Sequence, residues 1–224
     1  KTQAEDKFRL HDLIYDLARL VAGKNYCYLE GNEISGCVRQ LAFHSRRFDV
    51  SERFEELYDL KFLRSFLPLS YGPPSYHNIT KKVSRDWLPK LKYLRTLSLL
   101  DYRNITKLPD SISNLVLLRY LDLSYTSIKR LPDATFRLYN LQTLKLSNCE
   151  CLTQLPQQIG NLVNLRHLDI RGTNLSEMPA QISKLQDLRV LTSFFVGRED
   201  GVTIRELRKF PYLQGTLSIL RLQN

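Results

Sequence analysis

Apolar residues recur along the central part of this chain at a fixed interval. In each of four segments a leucine is followed by further apolar residues three and five positions later, and a fifth segment begins in the same way. The starts are separated by 24, 23, 24 and 23 residues. A period this long and regular predicts a solenoid in which each repeat packs on its neighbours. The five segments start at Leu94, Leu118, Leu141, Leu165 and Leu188.

Each repeat is predicted to contain a strand, followed by an irregular segment that forms the outer wall of the solenoid. Leu97 and Leu99 alternate with Thr96 and Ser98, which is the period of a strand with one buried face, so the leucines are predicted to point inward. Further along each repeat, Leu or Met precedes a proline. Proline fixes φ and donates no hydrogen bond, which suits an irregular outer wall.

The interval and the internal pattern are typical of a leucine-rich-repeat solenoid, which belongs to the α/β class. We expect a curved parallel β-sheet on the concave face and an irregular, 3₁₀ or short helical convex face. Earlier coils are predicted at Val38–Phe43 and from Leu63, a surface loop at 71–78, and a late strand at Leu217–Ile219.

One position just after each strand is expected to lie inside the coil. In this class of repeat the residue there is usually Asn, Cys or Thr and binds the backbone of the turn. Here the position holds Tyr102, Thr126, Cys149 and Thr173. This assigns Cys149 a structural role instead of a redox or metal role.

Residues 5–22 have a different pattern. Leu10, Leu13 and Leu17 recur at helical spacing, and Gly23 follows the end of the run. We therefore expect an amphipathic helix that precedes the solenoid.

Composition narrows the possible functions. The net charge is +10, but the basic residues are scattered and no nucleic-acid-binding motif is present. A nucleic-acid binder would rest on charge alone, so we expect no nucleic-acid partner. No stretch approaches the roughly 20 apolar residues of a membrane span. The four cysteines are too few for a disulfide framework. No grouping of residues indicates an enzyme or a metal site.

A more specific resemblance follows from the order of the segments. LHDLIYDLA (10–18) resembles the Met-His-Asp motif that ends the winged-helix domain of plant nucleotide-binding leucine-rich-repeat resistance proteins, with Leu10 in place of Met. VRQLAFHS (38–45) and LPQQIGNLVNLRHLDI are similar to repeats of the coiled-coil subclass. The resemblance implies the end of a winged-helix (NB-ARC) domain at 1–35 and a leucine-rich-repeat domain at 36–224. We expect the chain to be a piece of a longer, cytoplasmic protein.

The resemblance also implies roles for two residues near the start. His11 would contact an ADP phosphate, and Asp12 would support the motif, in the complete receptor, whose ADP or ATP is held with magnesium. This chain has no G-x-x-x-x-G-K-[ST] loop. We therefore expect no nucleotide to bind to the fragment alone.

The favoured hypothesis is a plant immune receptor fragment. Its concave surface would bind a pathogen effector or a guarded host protein and would hold the receptor's own nucleotide-binding domain inactive. The alternatives are an extracellular receptor ectodomain, suggested by sequons at Asn78, Asn104 and Asn174, and a generic interaction scaffold. The candidate partner-binding residues are Arg95, Thr96, Ser98, Tyr120, Asp122, Thr143, Lys145, His167, Asp169, Arg171, Val190, Thr192 and Phe194.

Overall fold

A computed structural model describes residues 26–28, 38–44, 48–49, 60–69, 78–79, 82–198 and 201–222. Eight strands form one parallel sheet in the order β1-β2-β4-β6-β7-β8-β9-β10, and two further pairs are β3-β5 and β11-β12. The strands are β1 Tyr26–Tyr28, β2 Gln40–His44, β3 Phe48–Asp49, β4 Ser65–Leu69, β5 Asn78–Ile79, β6 Thr96–Ser98, β7 Tyr120–Asp122, β8 Thr143–Lys145, β9 His167–Asp169, β10 Val190–Leu191, β11 Ser193–Phe195 and β12 Ser218–Leu220.

The central leucines of the repeats lie side by side in the sheet. Leu97 pairs with Leu121, Leu121 with Leu144, and Leu144 with Leu168 in unbroken register. All four are fully buried. Burying a leucine side chain contributes roughly 1.5–3 kcal/mol, so this column is a main source of cohesion between repeats. The predicted inward-facing leucines and the parallel sheet are confirmed.

The outer wall consists of short helices, as the Leu-Pro and Met-Pro steps predicted. Each of the four prolines is in an extended conformation directly before a 3₁₀ helix, and Ile112, Ile159 and Ile182 of these helices are buried. A π-type turn and a 3₁₀ turn precede them, and one 3₁₀ helix follows. The helices are Lys82–Trp87, Leu88–Lys90, Asp110–Asn114, Asp133–Arg137, Gln157–Asn161, Ala180–Lys184 and Ile204–Lys209.

A left-handed residue turns the chain away from the sheet in four successive repeats. The φ angles are 63° at Asp101, 59° at Tyr125, 56° at Asn148 and 64° at Gly172. The backbone N–H of Tyr125 donates to Ser147 O at 2.9 Å, and the equivalent bond recurs at its neighbours. These bonds continue the contact between repeats beyond the strands.

The residue after each left-handed position is buried, as predicted. Thr126 Oγ1 donates to Leu123 O at 2.7 Å, and Thr173 Oγ1 donates to Ile170 O at 2.8 Å. The Cys149 thiol donates to Leu123 O at 3.1 Å. Tyr102 is also fully buried. The structural role assigned to Cys149 is therefore confirmed.

The early coils and the late strand are also present. β2 contains Leu41 and Phe43, β4 contains Phe66, and β12 contains Ile219. β1 pairs with β2, so the described part of the sheet already includes residues 26–28, which precede the predicted boundary at residue 36. The predicted helix at 5–22, with His11 and Asp12, and residues 71–77 of the predicted loop lie outside the described residues.

The prediction that Phe194 faces the concave surface is wrong. Its side chain is fully buried, as are Ser193 and Phe195 on either side. The eight-stranded sheet ends at Leu191, and the following residues pair with β12 instead. The alternation that placed residues 190, 192 and 194 on one side therefore stops at this change of strand partner.

Candidate interaction surface on the concave face

Two rows of side chains cross the concave face of the sheet. The first row is at the start of each strand and is half-buried or exposed, with Thr143 Oγ1 lying 3.4 Å from His167 Nδ1. The second row is two residues further along. Strand register aligns the first row as Thr96, Tyr120, Thr143, His167 and Val190, and the second as Ser98, Asp122, Lys145 and Asp169.

Asp122 lies at the centre of a hydrogen-bonded group. Its Oδ1 accepts the backbone N–H of Ser124 at 2.9 Å, and its Oδ2 accepts the hydroxyl of Tyr120 at 3.1 Å. Lys145 Nζ lies 3.4 Å from Oδ2. Strand register places residue Lys145 between Asp122 and Asp169, and its ammonium group pairs with Asp122.

This environment changes the acidity of Tyr120. Burial raises the pKa of its hydroxyl well above the usual value, and the charge of Asp122 and the hydrogen bond to it raise it further. The phenol therefore remains a protonated donor to Asp122 at neutral pH.

Asp169 is held by the following turn and by the next strand. Its Oδ2 accepts Arg171 Nη2 at 2.8 Å and its Oδ1 accepts Arg171 Nε at 3.0 Å. Thr192 Oγ1 donates to Oδ1 at 3.0 Å. Burial by itself raises the Asp169 pKa, but the bonds from Arg171 and Thr192 outweigh it and hold the pKa below its usual value. Asp169 is therefore ionised at neutral pH.

The second row is less accessible than the sequence predicted. Ser98, Asp122 and Asp169 are 5%, 4% and 8% exposed, so the prediction that they stand free on the surface is wrong. Asp122 is contacted by Tyr120 and Lys145. Asp169 is contacted by Arg171 and Thr192. The accessible groups of the predicted set are Arg95, His167 and Arg171, with half-exposed Thr96, Tyr120, Thr143, Lys145, Val190 and Thr192.

The sequence analysis did not identify Arg103 and Tyr125, which lie in the turns that follow two neighbouring strands. The guanidinium of Arg103 lies 5.6 Å from the ring centre of Tyr125, and its Nε lies 3.4 Å from Asp101 Oδ1. Both residues are in the turn after the strand, where alternation had ended. It also missed Arg119, Arg166 and Arg189, although a Leu-Arg step opens four of the five repeats; these three arginines are exposed.

Two of the three sequon asparagines have structural partners. Asn104 Nδ2 donates to Ile79 O at 2.7 Å, and Asn104 Oδ1 accepts from Ile79 N at 3.1 Å. Asn174 Nδ2 donates to Glu150 O at 2.7 Å. Both side chains thus join one repeat to the preceding one, which accounts for an amide at these positions.

Within the ranges given above, no three His, Cys, Asp or Glu side chains are grouped to hold a metal ion. No described helix has the length and apolar character required to cross a membrane.

Comparisons with known proteins agree with this architecture. The leucine rich repeat family matches residues 118–175. A leucine-rich-repeat protein of Leptospira interrogans is similar in structure, with a TM-score of 0.60 and 29% identity over 75% of this chain and 39% of that chain. The leucine-rich repeat domain of the type III effector XopL has a TM-score of 0.59 and 20% identity, covering 95% of this chain and 81% of that chain.

Sequence relatives are more specific. A disease resistance protein of Arabidopsis thaliana is 48% identical over 223 residues, which are 97% of this chain and 15% of the relative. The disease resistance RPP13-like protein 1 of the same plant is 46% identical over 99% of this chain and 21% of its own length. The chain thus spans about a fifth or less of these relatives. It is a leucine-rich-repeat segment homologous to plant disease resistance proteins.

Proposed function

We propose that this chain is the sensing segment of an intracellular plant immune receptor. Its concave surface binds a pathogen effector or a guarded host protein and, in the resting receptor, holds the ADP/ATP-switched nucleotide-binding module inactive. The observation that supports this most is the similarity to disease resistance proteins along 97% of the chain. The geometry adds a polar face that rests on a continuous leucine core.

The proposed mechanism of recognition depends on two sets of side chains, the buried leucine core and the outward-facing side chains of the concave surface. The buried leucines fix the strands, so the outward side chains can differ without loss of the fold. Tyr120, Lys145 and His167 offer a ring, a cation and an imidazole on three adjacent strands. A partner that binds only the open receptor shifts the population toward the signalling state.

The concave face can be tested in the complete receptor that contains this chain. We expect Tyr120→Ala/Lys145→Ala/His167→Ala to weaken the resting contact and to cause cell death in leaves without a pathogen, measured as ion leakage. Lys107→Ala/Lys129→Ala/Gln158→Ala, on exposed outer-wall positions, is the matched control. Equal ion leakage from both triple variants at equal protein levels would reject the concave face as the regulatory surface.

The nucleotide switch has a separate test. His11 and Asp12 lie outside the described residues, so their proposed contact with the ADP-binding module rests on the motif. In the complete receptor, Asp12→Val should release the resting state and cause spontaneous cell death. Normal protein accumulation without cell death would contradict the assignment of residues 10–12 as part of the switch.

A further inference from the structure

A groove crosses the outer wall of the solenoid over three consecutive repeats. Its floor is formed by the Leu-Pro steps at 108–109, 131–132 and 155–156, whose leucines are buried and whose prolines are half-buried. The groove has a volume of about 950 Å³. Binding sites for small molecules have volumes of roughly 300–1,000 Å³, so this outer-wall groove is large enough for a small organic ligand.

One short side chain contributes to the space in this groove. Ala134 is the second residue of the outer-wall helix Asp133–Arg137, and it lines the groove. The same position of the helices in the two following repeats holds Gln158 and Gln181. A methyl group fills less of the outer wall than a glutamine side chain does, so the wall is lower at this repeat.

Six charged side chains line the outer-wall groove, and the four cations outnumber the two carboxylates. In the part of the chain that the structure describes, none of the six side chains forms an ion pair or a hydrogen bond. An excess of unpaired cations in a groove attracts an anionic ligand. All six side chains are exposed, and they are Arg85, Lys107, Arg130, Arg137, Asp110 and Asp133.

The four cations belong to separate segments of the chain. Lys107 and Arg130 directly precede two of the Leu-Pro steps, in neighbouring coils. Arg137 is the last residue of an outer-wall helix, and Arg85 belongs to the π-type turn before the first repeat. A ligand with one anionic group reaches only part of this set, whereas several phosphate groups on one molecule can contact it together. The planar guanidinium group also matches the geometry of phosphate oxygens.

The floor and the carboxylates restrict the ligand further. Pro109, Pro132 and Pro156 have no backbone N–H to donate, so the cationic side chains must recognise the phosphate groups. The carboxylates of Asp110 and Asp133 repel phosphate but accept hydrogen bonds from hydroxyl groups. Cations and acceptors in one groove therefore fit a molecule that carries both phosphate and hydroxyl groups, and the proline rings offer an apolar contact for its carbon skeleton.

We propose that the outer-wall groove binds a phosphorylated polyol, either as a free small molecule or as the headgroup of a membrane lipid. The phosphate groups contact Arg85, Arg130 and Arg137, and the hydroxyl groups donate to Asp110 and Asp133. The proposal goes beyond the proposed function. It assigns a ligand site to the outer wall, away from the concave face, and it does not depend on signalling by the receptor.

The ligand chemistry can be tested by isothermal titration calorimetry on the whole chain with three soluble probes. Inositol trisphosphate carries phosphate and hydroxyl groups, tripolyphosphate carries phosphate groups only, and inositol carries hydroxyl groups only. We expect inositol trisphosphate to bind about tenfold or more tightly than tripolyphosphate, because hydrogen bonds to the two carboxylates add to the phosphate contacts. Inositol should show no measurable binding.

The location of the site can be tested by removal of two cations. Arg130→Gln/Arg137→Gln should lose about tenfold or more in affinity for inositol trisphosphate. Arg166→Gln/Arg189→Gln, at two exposed arginines outside the groove, is the matched control and should lose less than about threefold. Circular dichroism checks the fold, and if the groove variant is unfolded, the two single substitutions are measured instead.

The role of the carboxylates can be tested separately. Asp110→Ala/Asp133→Ala should weaken the binding of inositol trisphosphate, because the hydroxyl groups lose their acceptors. The same variant should tighten the binding of tripolyphosphate, because two like charges are removed from the groove. A site that depends only on net charge would instead bind both probes more tightly in this variant.

Vesicles of phosphatidylcholine with phosphatidylinositol bisphosphate distinguish the two sources of the ligand. Vesicle binding that inositol trisphosphate displaces, and that Arg130→Gln/Arg137→Gln loses, would identify a lipid headgroup. Binding of the soluble probe without vesicle binding would identify a free molecule.

Three results would overturn the proposal: no binding of inositol trisphosphate, equal losses in the two arginine variants, or tighter binding of inositol trisphosphate by Asp110→Ala/Asp133→Ala. None of these measurements involves cell death in leaves. Failure of this proposal and failure of the immune-receptor proposal are therefore distinguishable.

Discussion

The Cys149 thiol and the Leu123 carbonyl oxygen join two consecutive repeats through a hydrogen bond of 3.1 Å. The same oxygen accepts the hydroxyl of Thr126 at 2.7 Å. Leu123 O also accepts the backbone N–H of Thr126 at 3.2 Å, so this one oxygen serves its own turn and the next coil together. In the following repeat Thr173 donates within its own turn to Ile170 O.

Removal of this thiol should destabilise the solenoid. Cys149→Ala deletes the bond between repeats and leaves a small void, so we expect a loss of about 1–3 kcal/mol in the free energy of unfolding. Cys149→Thr retains a donor and should lose less. Urea unfolding measures both. The control is Cys151→Ala, an exposed position, which should stay within about 0.5 kcal/mol of the parent.

The same thiol should make stability depend on alkaline pH. Burial raises the pKa of Cys149 above its usual value. Because the folded pKa is higher than the unfolded one, this contribution is complete below the unfolded pKa of about 8.5 and is lost as pH rises toward the folded pKa. Urea unfolding from neutral to alkaline pH should show the stability difference between the parent and Cys149→Ala shrinking. A constant difference would contradict the buried thiol.

Gly172 should be sensitive to a single added methyl group. Its φ is 64°, and a Cβ there would collide with Oδ1 of Asn148. A left-handed conformation costs a non-glycine residue about 1–2 kcal/mol, so Gly172→Ala should destabilise by at least this amount. In a double-mutant cycle Asn148→Ala should recover the part due to the collision and leave the part due to φ. Full additivity of the two changes in thermal unfolding would show that no collision exists.

Thr135 offers a stabilising substitution. It occupies a position at which the other repeats have isoleucine, it is fully buried, and its Oγ1 has no hydrogen-bond partner in the part of the chain described. Thr135→Val keeps the shape and removes an unsatisfied hydroxyl, so we expect a gain of about 1 kcal/mol. Thr126→Val is the matched control, because that hydroxyl donates to Leu123 O and its loss should destabilise. A loss of stability in Thr135→Val would indicate a partner for the hydroxyl.

Asp169 should make stability depend on acidic pH. Hydrogen bonds from Arg171 and Thr192, which outweigh burial, lower its pKa. A lowered folded pKa contributes stability that is present above the unfolded value of about 3.9 and is lost as pH falls through the folded value. Arg171 is 64% exposed, so Arg171→Gln should cost about 1 kcal/mol or less at neutral pH. NMR titration should show a higher Asp169 pKa in that variant, and an unchanged pKa would contradict the assignment.

Most of the fold was predictable because it follows from local periodicity. The interval of 23 or 24 residues places Leu97, Leu121, Leu144 and Leu168 in one column, and the proline steps predict the outer-wall helices. The buried Thr126, Cys149 and Thr173 were also predictable, since each occupies the same position after the strand in its own repeat. Each of these features depends on residues within one coil and on its regular stacking.

The accessible part of the concave face was less predictable. Alternation places Ser98, Asp122 and Asp169 on that face, but side chains from the next repeat, such as Lys145 beside Asp122 and Thr192 beside Asp169, contribute to how much solvent reaches them. Phe194 illustrates the same dependence, because the strand partner changes after Leu191 and the side chain of Phe194 is buried there. Such contacts join residues more than twenty positions apart, and a repeat pattern contains no information about their geometry.

The order of apolar and polar residues was thus sufficient to establish a leucine-rich-repeat solenoid, its inward columns and its outer wall. The reason is that coils with the same apolar positions bury those positions by stacking on one another. Only the tertiary structure decided which polar groups are consumed by internal bonds and which remain available. It also decided that the arginines after each first inward residue form one continuous edge, because the parallel register of the strands brings distant repeats side by side.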